Sequence, residues 1–412
     1  MVRNEEYPEQ MLSDNEKFER IIKSINKRFK TYGYKRIKTS AFEQYDLYSR
    51  VKSSINQNEM IKVIDHTGEV LVLRPDVTIP ITRELVQNVP DLSSELRYFY
   101  VQEVFRQPFD KNDSVERTQA GIEYFCDSSP EADAEVIALA CHLMKDLGFN
   151  DIKIELGHAG FFNELVQDLP LTLQQVNQLK SLIQAKNVVE IGPFLKKLEV
   201  DDEVREVIER IPFLYGNAID VSESMKGIAL TEKMRQTLDY LMDVYSILKM
   251  YGLEHYIVID LGLINHMGYY SGVIFQGYVE KFGKPVLMGG RYDELGNEFG
   301  TALPAIGFAC EIESLVKATE SKDIISRFPI DVKIIYVADQ LEQAIAIANE
   351  LRERNFSVLL FSTNKEQADR RQSIYSICLE KESNSFLYKD KTTSFLDLKE
   401  LLGLLVGGID QK

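Results

Sequence analysis

The stretch from Leu263 to Asp293 constrains the fold more than any other. It reads L-I-N-H-M-G-Y-Y-S-G-V-I-F-Q-G-Y-V, then a polar break over residues 280–285, then V-L-M-G-G-R-Y-D. Two apolar, aromatic-rich runs on either side of a turn that contains Gly283 and Pro285 predict a hairpin. The Gly289-Gly290 pair marks a place where backbone approaches a neighbour closely. Tyr269, Tyr270 and Tyr292 offer flat faces and hydroxyls to a small, partly aromatic ligand. The same tyrosines would also serve as filler in a buried hairpin, and this stretch alone does not separate the two readings.

The 412 residues are enough for two or three domains with separate cores. A hydrophobic content of 44% and a charged content of 27% are those of an ordinary soluble protein. No apolar run approaches the ~20 residues of a membrane span. The start, Met1-Val-Arg-Asn-Glu-Glu, is polar and acidic, unlike a secretory signal or transit peptide. Cys126, Cys141, Cys310 and Cys378 lie far apart, which points to reduced thiols in the cytoplasm. The histidines show no metal-ligand spacing, so neither a structural metal nor a cofactor is expected. A net charge of −16 repels nucleic acid at range.

Asp14–Tyr32 carries Phe18, Ile21, Ile22, Ile25 and Phe29 at helical spacing behind a Ser13-Asp14 cap, and Arg36–Glu43 reads as a strand. Over Val63–Arg83 a Thr67-Gly68 turn joins two strands, and Leu73-Arg74-Pro75-Asp76 runs into a helix start. Asp76 and Thr78 are either a helix cap or ligand contacts. Leu96–Phe125 reads strand, polar loop, strand. Arg106 closes the first strand, and its forked guanidinium suits a carboxylate or a phosphate. In the second strand Gln119 and Glu123 share one face at period two. Ser129-Pro130 starts a helix that runs to Leu147, and Asp151–Leu156 is a strand followed by Gly157-His158. His158 and His266 lack a sequence partner that would make either a base, so they read as structural or ligand-rim residues. From Gln167 to Tyr251 helical periodicity dominates without strand signal. Tyr256–Leu261 is a strand, and Ile330–Lys412 has a strand, helix, strand pattern in which acidic residues slightly outnumber basic ones.

These motifs resemble those of the histidyl-tRNA synthetases, in class II of the aminoacyl-tRNA synthetases. The hairpin is similar to that family's V-R-G-L-D-Y-Y-T-x-x-V-F-E and G-G-R-Y-D, matching at Tyr269, Tyr270, Phe275, Gly289, Gly290, Arg291, Tyr292 and Asp293. Leu73–Thr78 resembles L-R-P-E-x-T, and Gln119-x-Gly121-x-Glu123 resembles Q-x-G-x-E. The resemblance implies an α+β fold, a class II antiparallel sheet flanked by helices, over residues 1–166 and 252–320. It further implies a helical insertion over 167–251 and a small C-terminal α/β domain over 330–412, similar to an anticodon-binding domain. It implies a histidine pocket made by Asp76, Thr78, Arg106, Gln119, Glu123, Tyr269, Tyr270 and Tyr292.

The departures carry as much information as the matches. The family's catalytic arginine falls on Asn265 and its aspartate on Gly268. In the third class II motif, Glu311 stands for a glycine and Ser314 for the arginine that holds the γ-phosphate of ATP. Losing one such electrostatic group costs roughly 3–4 kcal/mol of transition-state stabilisation. No catalytic residue is therefore expected. The pattern resembles the non-catalytic branch of the family, the regulatory subunits of ATP phosphoribosyltransferase. That resemblance implies a short-form catalytic subunit as partner, L-histidine as effector and a homodimer within a larger hetero-oligomer. Two other readings stay open, an active histidyl-tRNA synthetase and a synthetase-like amino-acid or tRNA sensor. Histidine-dependent ATP–pyrophosphate exchange would mark the first, and salt-dependent tRNA binding the second.

Overall fold

A computed structural model describes residues 6–51, 57–89, 91–92, 94–108, 114–167, 169–198, 200–226, 228, 231–264, 268–319, 330–363, 373–381, 383–388 and 391–409. The chain divides into two compact units, Phe18–Ser321 on the one hand and Met1–Lys17 with Lys322–Lys412 on the other.

The first helix, α1 (Glu6–Thr31), buries Ile21, Ile25 and Phe29 from successive turns of one face. It starts ahead of the expected Ser13-Asp14 cap. The helix ends before Gly33, whose φ of +80° suits glycine.

The strand expected over Arg36–Glu43 divides into β1 (Lys35–Arg36) and β2 (Phe42–Gln44). After α2 (Tyr45–Arg50), β3 (Lys62–Ile64) and β4 (Val70–Leu73) form the hairpin read around Thr67-Gly68, and β2 pairs with the far side of β4. Arg74 supplies the reason for the division. Its guanidinium donates to the carbonyls of Thr39 at 3.0 Å, Ser40 at 2.7 Å and Glu103 at 2.7 Å. A side chain thus takes acceptors that a continuous ladder would have used, and the chain crosses from one sheet to another.

Next come α3 (Thr78–Asn88), β5 (Leu96–Phe105), β6 (Glu116–Phe125), α4 (Pro130–Asp146) and β7 (Ile152–His158). Ser129 Oγ accepts the Ala132 N–H at 3.2 Å, which caps α4 as its sequence predicts. A helical stretch follows, with α5 (Ala159–Val166), α6 (Leu173–Gln184), α7 (Val188–Lys197) and α8 (Asp202–Arg210). It also holds a short strand that sequence periodicity did not predict, β8 (Tyr215–Gly216), then α9 (Ala218–Met225) and α10 (Glu232–Met250). Two residues are too few to show an alternation. The unit closes with β9 (Ile257–Asp260), β10 (Val273–Val279), β11 (Leu287–Arg291), β12 (Ala305–Glu311) and α11 (Ile312–Thr319).

Nine strands make one sheet in the order β1-β5-β6-β12-β11-β10-β7-β9-β8. It is antiparallel except where β1 joins β5 and β7 joins β9. Period two sorts its side chains. Ala120, Ile122 and Tyr124 join Phe99, Phe275 and Phe308 in the core with α4. That core also takes Leu179, Ile183, Leu195 and Ile208 from the helical stretch. The alternate residues of β6 share a face with Tyr98, Tyr100 and Gln102 of β5, with Glu123 opposite Tyr98 and Gln119 opposite Gln102. Over this second face Val77 and, from α3, Ile79, Ile81 and Leu85 share one core cluster with Tyr100 and Tyr292.

The second unit carries β13 (Ile330–Tyr336), α12 (Leu341–Glu353), β14 (Val358–Ser362), β15 (Ser373–Leu379), β16 (Asn384–Tyr388), β17 (Lys391–Phe395) and α13 (Leu398–Ile409). The strand order is β14-β13-β15-β16-β17, and β13 is parallel to both neighbours, which is the βαβ arrangement read from the sequence. Among the described residues no helix is long and apolar enough to cross a membrane.

Replacing Arg74 by alanine is expected to destabilise the larger unit by about 3 kcal/mol, because a buried side chain is lost and the carbonyls of Thr39, Ser40 and Glu103 lose their charged donor together. The check is the midpoint of urea unfolding followed by tyrosine fluorescence. A loss below about 0.5 kcal/mol would contradict the role given to Arg74.

Candidate ligand-binding site

A cavity of about 840 Å³ lies over the second face of the sheet, and its lining includes Asp76, Thr78, Arg106, Gln119, Glu123, Tyr269, Tyr270 and Tyr292. All eight residues singled out in the sequence therefore meet in one place, although they come from five separate segments of the chain. The size is within the range of about 300–1,000 Å³ usual for small-molecule sites.

The floor is built by strand register. Glu123 on β6 lies opposite Gly307 on β12, and Gly121 lies opposite Tyr100 on β5. A Cβ on Gly307 would overlap the Glu123 carboxylate, and one on Gly121 would stand 2.5 Å from the Tyr100 hydroxyl. Glycine at these two points lets an acid and a phenol lie flat along the sheet. Tyr100 was not singled out in the sequence. Its alternation with Tyr98 and Gln102 was the signal that could have placed it.

Glu123 is 2% exposed. One of its oxygens accepts the Thr78 hydroxyl at 2.6 Å, and the other accepts the Tyr292 hydroxyl. Burial pushes its carboxyl up to about 8, helped by the nearby Asp76 charge and opposed by the two hydroxyls. Asp76 is pushed up to about 6, again by burial, against the Ile79 N–H at 3.1 Å and the positive charge of Arg106. Asp76 accepts an N–H in the first turn of α3 and also lines the cavity. Arg106 donates from Nε to the Pro75 carbonyl at 2.8 Å, while its Nη2 is buried with no hydrogen-bond partner among the described residues. A buried donor of this kind is one that a bound acceptor would satisfy.

The tyrosines form an aromatic wall. Tyr269 and Tyr270 have ring centroids 5.0 Å apart, and Tyr269 meets Tyr292 edge-on at 5.8 Å. Tyr292 is held from behind by its neighbour Arg291, which is turned away into the protein. Arg291 Nε donates to Asp133 at 2.9 Å, and its Nη1 donates to Asp293 at 2.9 Å and to the Asp127 carbonyl at 2.9 Å. Tyr240 of α10 donates to the same Asp133 carboxylate at 2.9 Å, which ties the helical stretch to the back of the site. His158 is structural: its Nδ1 accepts the Gly160 N–H at 3.0 Å, and burial beside Arg291 lowers its pKa to about 4. His266 lies outside the described residues.

Toward its exposed end the cavity is lined by Arg117, Glu311, Glu313, Ser314 and Lys317. Glu311 and Ser314, expected from the resemblance to be substituted positions of the third motif, both line the cavity and touch each other, Ser314 Oγ donating to Glu311 at 3.2 Å. Gly268 does not line the cavity, and Asn265 lies outside the described residues. Among the described residues no cluster of three or more histidine, cysteine or acidic side chains is arranged to hold a metal. The buried half of the cavity offers two carboxyls, an unsatisfied guanidinium nitrogen and flat rings, which complements a small zwitterion with a polar ring.

Burial of Glu123 has a consequence for stability. Its folded pKa of about 8 lies above the ordinary value of 4.5. Between these values the folded state holds a proton that the unfolded state has released, so this contribution to stability is full below the ordinary value and is lost as pH rises toward 8. Glu123→Gln is expected to flatten that decline. Thermal melts of both proteins across this window provide the check, and parallel curves would contradict it.

The comparisons with known proteins place the family and the fold. The histidyl-tRNA synthetase family model matches residues 8–315. A protein of Oceanobacillus iheyensis called ATP phosphoribosyltransferase regulatory subunit is 43% identical over 93% of both chains. One of Ruminiclostridium cellulolyticum with the same name is 33% identical over 84% of this chain and 83% of its own. A crystal structure from Bacillus halodurans, described as an ATP phosphoribosyltransferase regulatory subunit/histidyl-tRNA synthetase, superposes with a TM-score of 0.76 at 29% identity, covering 89% of this chain and 95% of that one. A histidyl-tRNA synthetase from a Nostoc species shares the fold, with a TM-score of 0.79 at 18% identity over 95% and 96% of the two chains. The chain belongs to the histidyl-tRNA synthetase-like family, in the branch whose members are named ATP phosphoribosyltransferase regulatory subunit.

Proposed function

We propose that this chain is a non-catalytic regulatory subunit of ATP phosphoribosyltransferase. It serves the first step of histidine biosynthesis in the cytoplasm and carries feedback inhibition by L-histidine. It acts on a short-form catalytic subunit, as a homodimer within a larger hetero-oligomer, without cofactor, metal or nucleic acid. Residues 167–251 are an accessory helical insertion, and residues 330–412 are a counterpart of the anticodon-binding domain.

The observation that carries this reading is the asymmetry of the cavity. Its buried half retains every group the sequence singled out for an amino acid, while its exposed half has Glu311 and Ser314 in place of phosphate-handling groups. In the proposed pose the ligand ammonium faces Asp76 and Thr78. Its carboxylate takes the open Nη2 of Arg106. Its ring lies among Tyr269, Tyr270 and Tyr292, with Gln119 beside it and an imidazole nitrogen at Glu123. A carboxyl with a pKa near 8 can share one proton with an imidazole, so the pair keeps its overall charge on binding. Ligands that leave these buried groups unpaired are rejected. A difference of about 1–3 kcal/mol in histidine affinity between two arrangements of the complex is enough for useful inhibition.

The regulatory subunit/histidyl-tRNA synthetase description of the Bacillus halodurans structure keeps a second reading in view, that of an amino-acid-activating enzyme. It requires histidine-dependent exchange of pyrophosphate into ATP, and none is expected from this chain.

Adding the purified chain to a short-form catalytic subunit is expected to raise phosphoribosyl transfer and make it sensitive to histidine. Glu123→Gln is expected to raise the half-inhibiting histidine concentration about tenfold or more. No change in rate on adding the chain, or equal inhibition with the variant, would contradict the proposal.

A further inference from the structure

The exposed half of the cavity contains its own ion pair. Arg117 on β6 donates from Nη1 to Glu311 Oε1 at 2.9 Å, and the other Glu311 oxygen accepts the Ser314 hydroxyl at 3.2 Å. One residue along α11, the Glu313 carboxylate accepts the Thr118 N–H at 2.9 and 3.1 Å. The two acids therefore hold fixed positions, one against a side chain and one against backbone. Lys284 and Lys317 also line this half. Three cations around one opening would ordinarily attract a ligand with several negative charges. Here the forked cation among them faces an internal carboxylate.

We propose that Glu311 is a specificity-determining residue that closes the exposed half of the cavity to polyanions. Two effects act together. An entering phosphate group must part Arg117 from Glu311, and it then meets the displaced carboxylate at close range, where like charges repel. Arg117 and Glu311 are 34% and 32% exposed, so the pair is accessible to a ligand and is not a sealed core bridge. Ser314 contributes by holding the second oxygen, which restricts the carboxylate to the rotamer that meets Arg117. A short polar side chain at this position fits that task. The proposal concerns the half of the cavity that the histidine reading leaves empty, and it stands or falls separately from that reading.

The test is calorimetric titration of inorganic tripolyphosphate, at low ionic strength, into the full-length protein and its Glu311→Gln variant. The wild-type protein is expected to bind weakly or not at all. The variant is expected to gain about tenfold or more in affinity, as the release of a charge-assisted contact implies. Adding Arg117→Gln to the variant is expected to abolish the gain. Ser314→Ala, which frees the carboxylate without deleting it, is expected to shift affinity in the same direction by less, and it decides the matter if Glu311→Gln does not fold. Equal tripolyphosphate affinity in wild type and variants, or a gain that survives loss of Arg117, would overturn the proposal. L-histidine titrated into the same samples reports on the buried half alone, so failure of one reading is distinguishable from failure of the other.

Discussion

Two carboxyls taken out of water are the constraint around which this structure is arranged. Asp76 is 4% exposed and Glu123 is 2% exposed, and no salt bridge neutralises Glu123 among the described residues. An ionised group so placed is costly, and the protein meets the cost by letting Glu123 keep its proton and by surrounding it with hydroxyls. A core residue serving only stability would gain nothing from this, because an apolar side chain of similar volume packs without penalty. Buried carboxyls with shifted titration that line a cavity mark a candidate functional site.

The rest of the larger unit supports that arrangement. Gly307 and Gly121 leave room for the acid and for Tyr100 to lie along the sheet. Arg291 and Asp133 anchor the strand end from which Tyr292 reaches Glu123. Arg74 locks the crossing between the two sheets. Burying an ion pair such as Arg291 with Asp133 is weak evidence of stability in itself. Here it also fixes direction, since neighbouring residues of a strand point to opposite sides and anchoring Arg291 aims Tyr292 into the cavity. The link from Asp133 to Tyr240 brings a helix of the 218–250 region into contact with this anchor, so the back of the site and the helical stretch are mechanically joined.

Much of this was readable in the sequence, for identifiable reasons. Period two is a property of the backbone, so the spacing of Gln119 and Glu123 alone assigns them to one face. Apolar runs around a Gly and Pro turn were sufficient for the β10 and β11 hairpin. Other features depend on contacts between distant segments and left no local trace. Arg74 sits in a ligand-like motif yet spends its donors on Thr39, Ser40 and Glu103. Arg291 adjoins a cavity residue yet faces the other way. The pairing of Glu311 with Arg117 joins residues far apart in the chain. Local composition also could not place the start of α1 or reveal β8, where a two-residue strand follows its neighbour's edge.

Titration of L-histidine into the chain alone, without any catalytic subunit, tests the central claim most directly. Saturable heat with one ligand per chain, lost when Glu123 is glutamine, is the expected result. Absence of binding to the isolated chain, or binding that ignores the substitution, would mean that the buried acids do not form the amino-acid site.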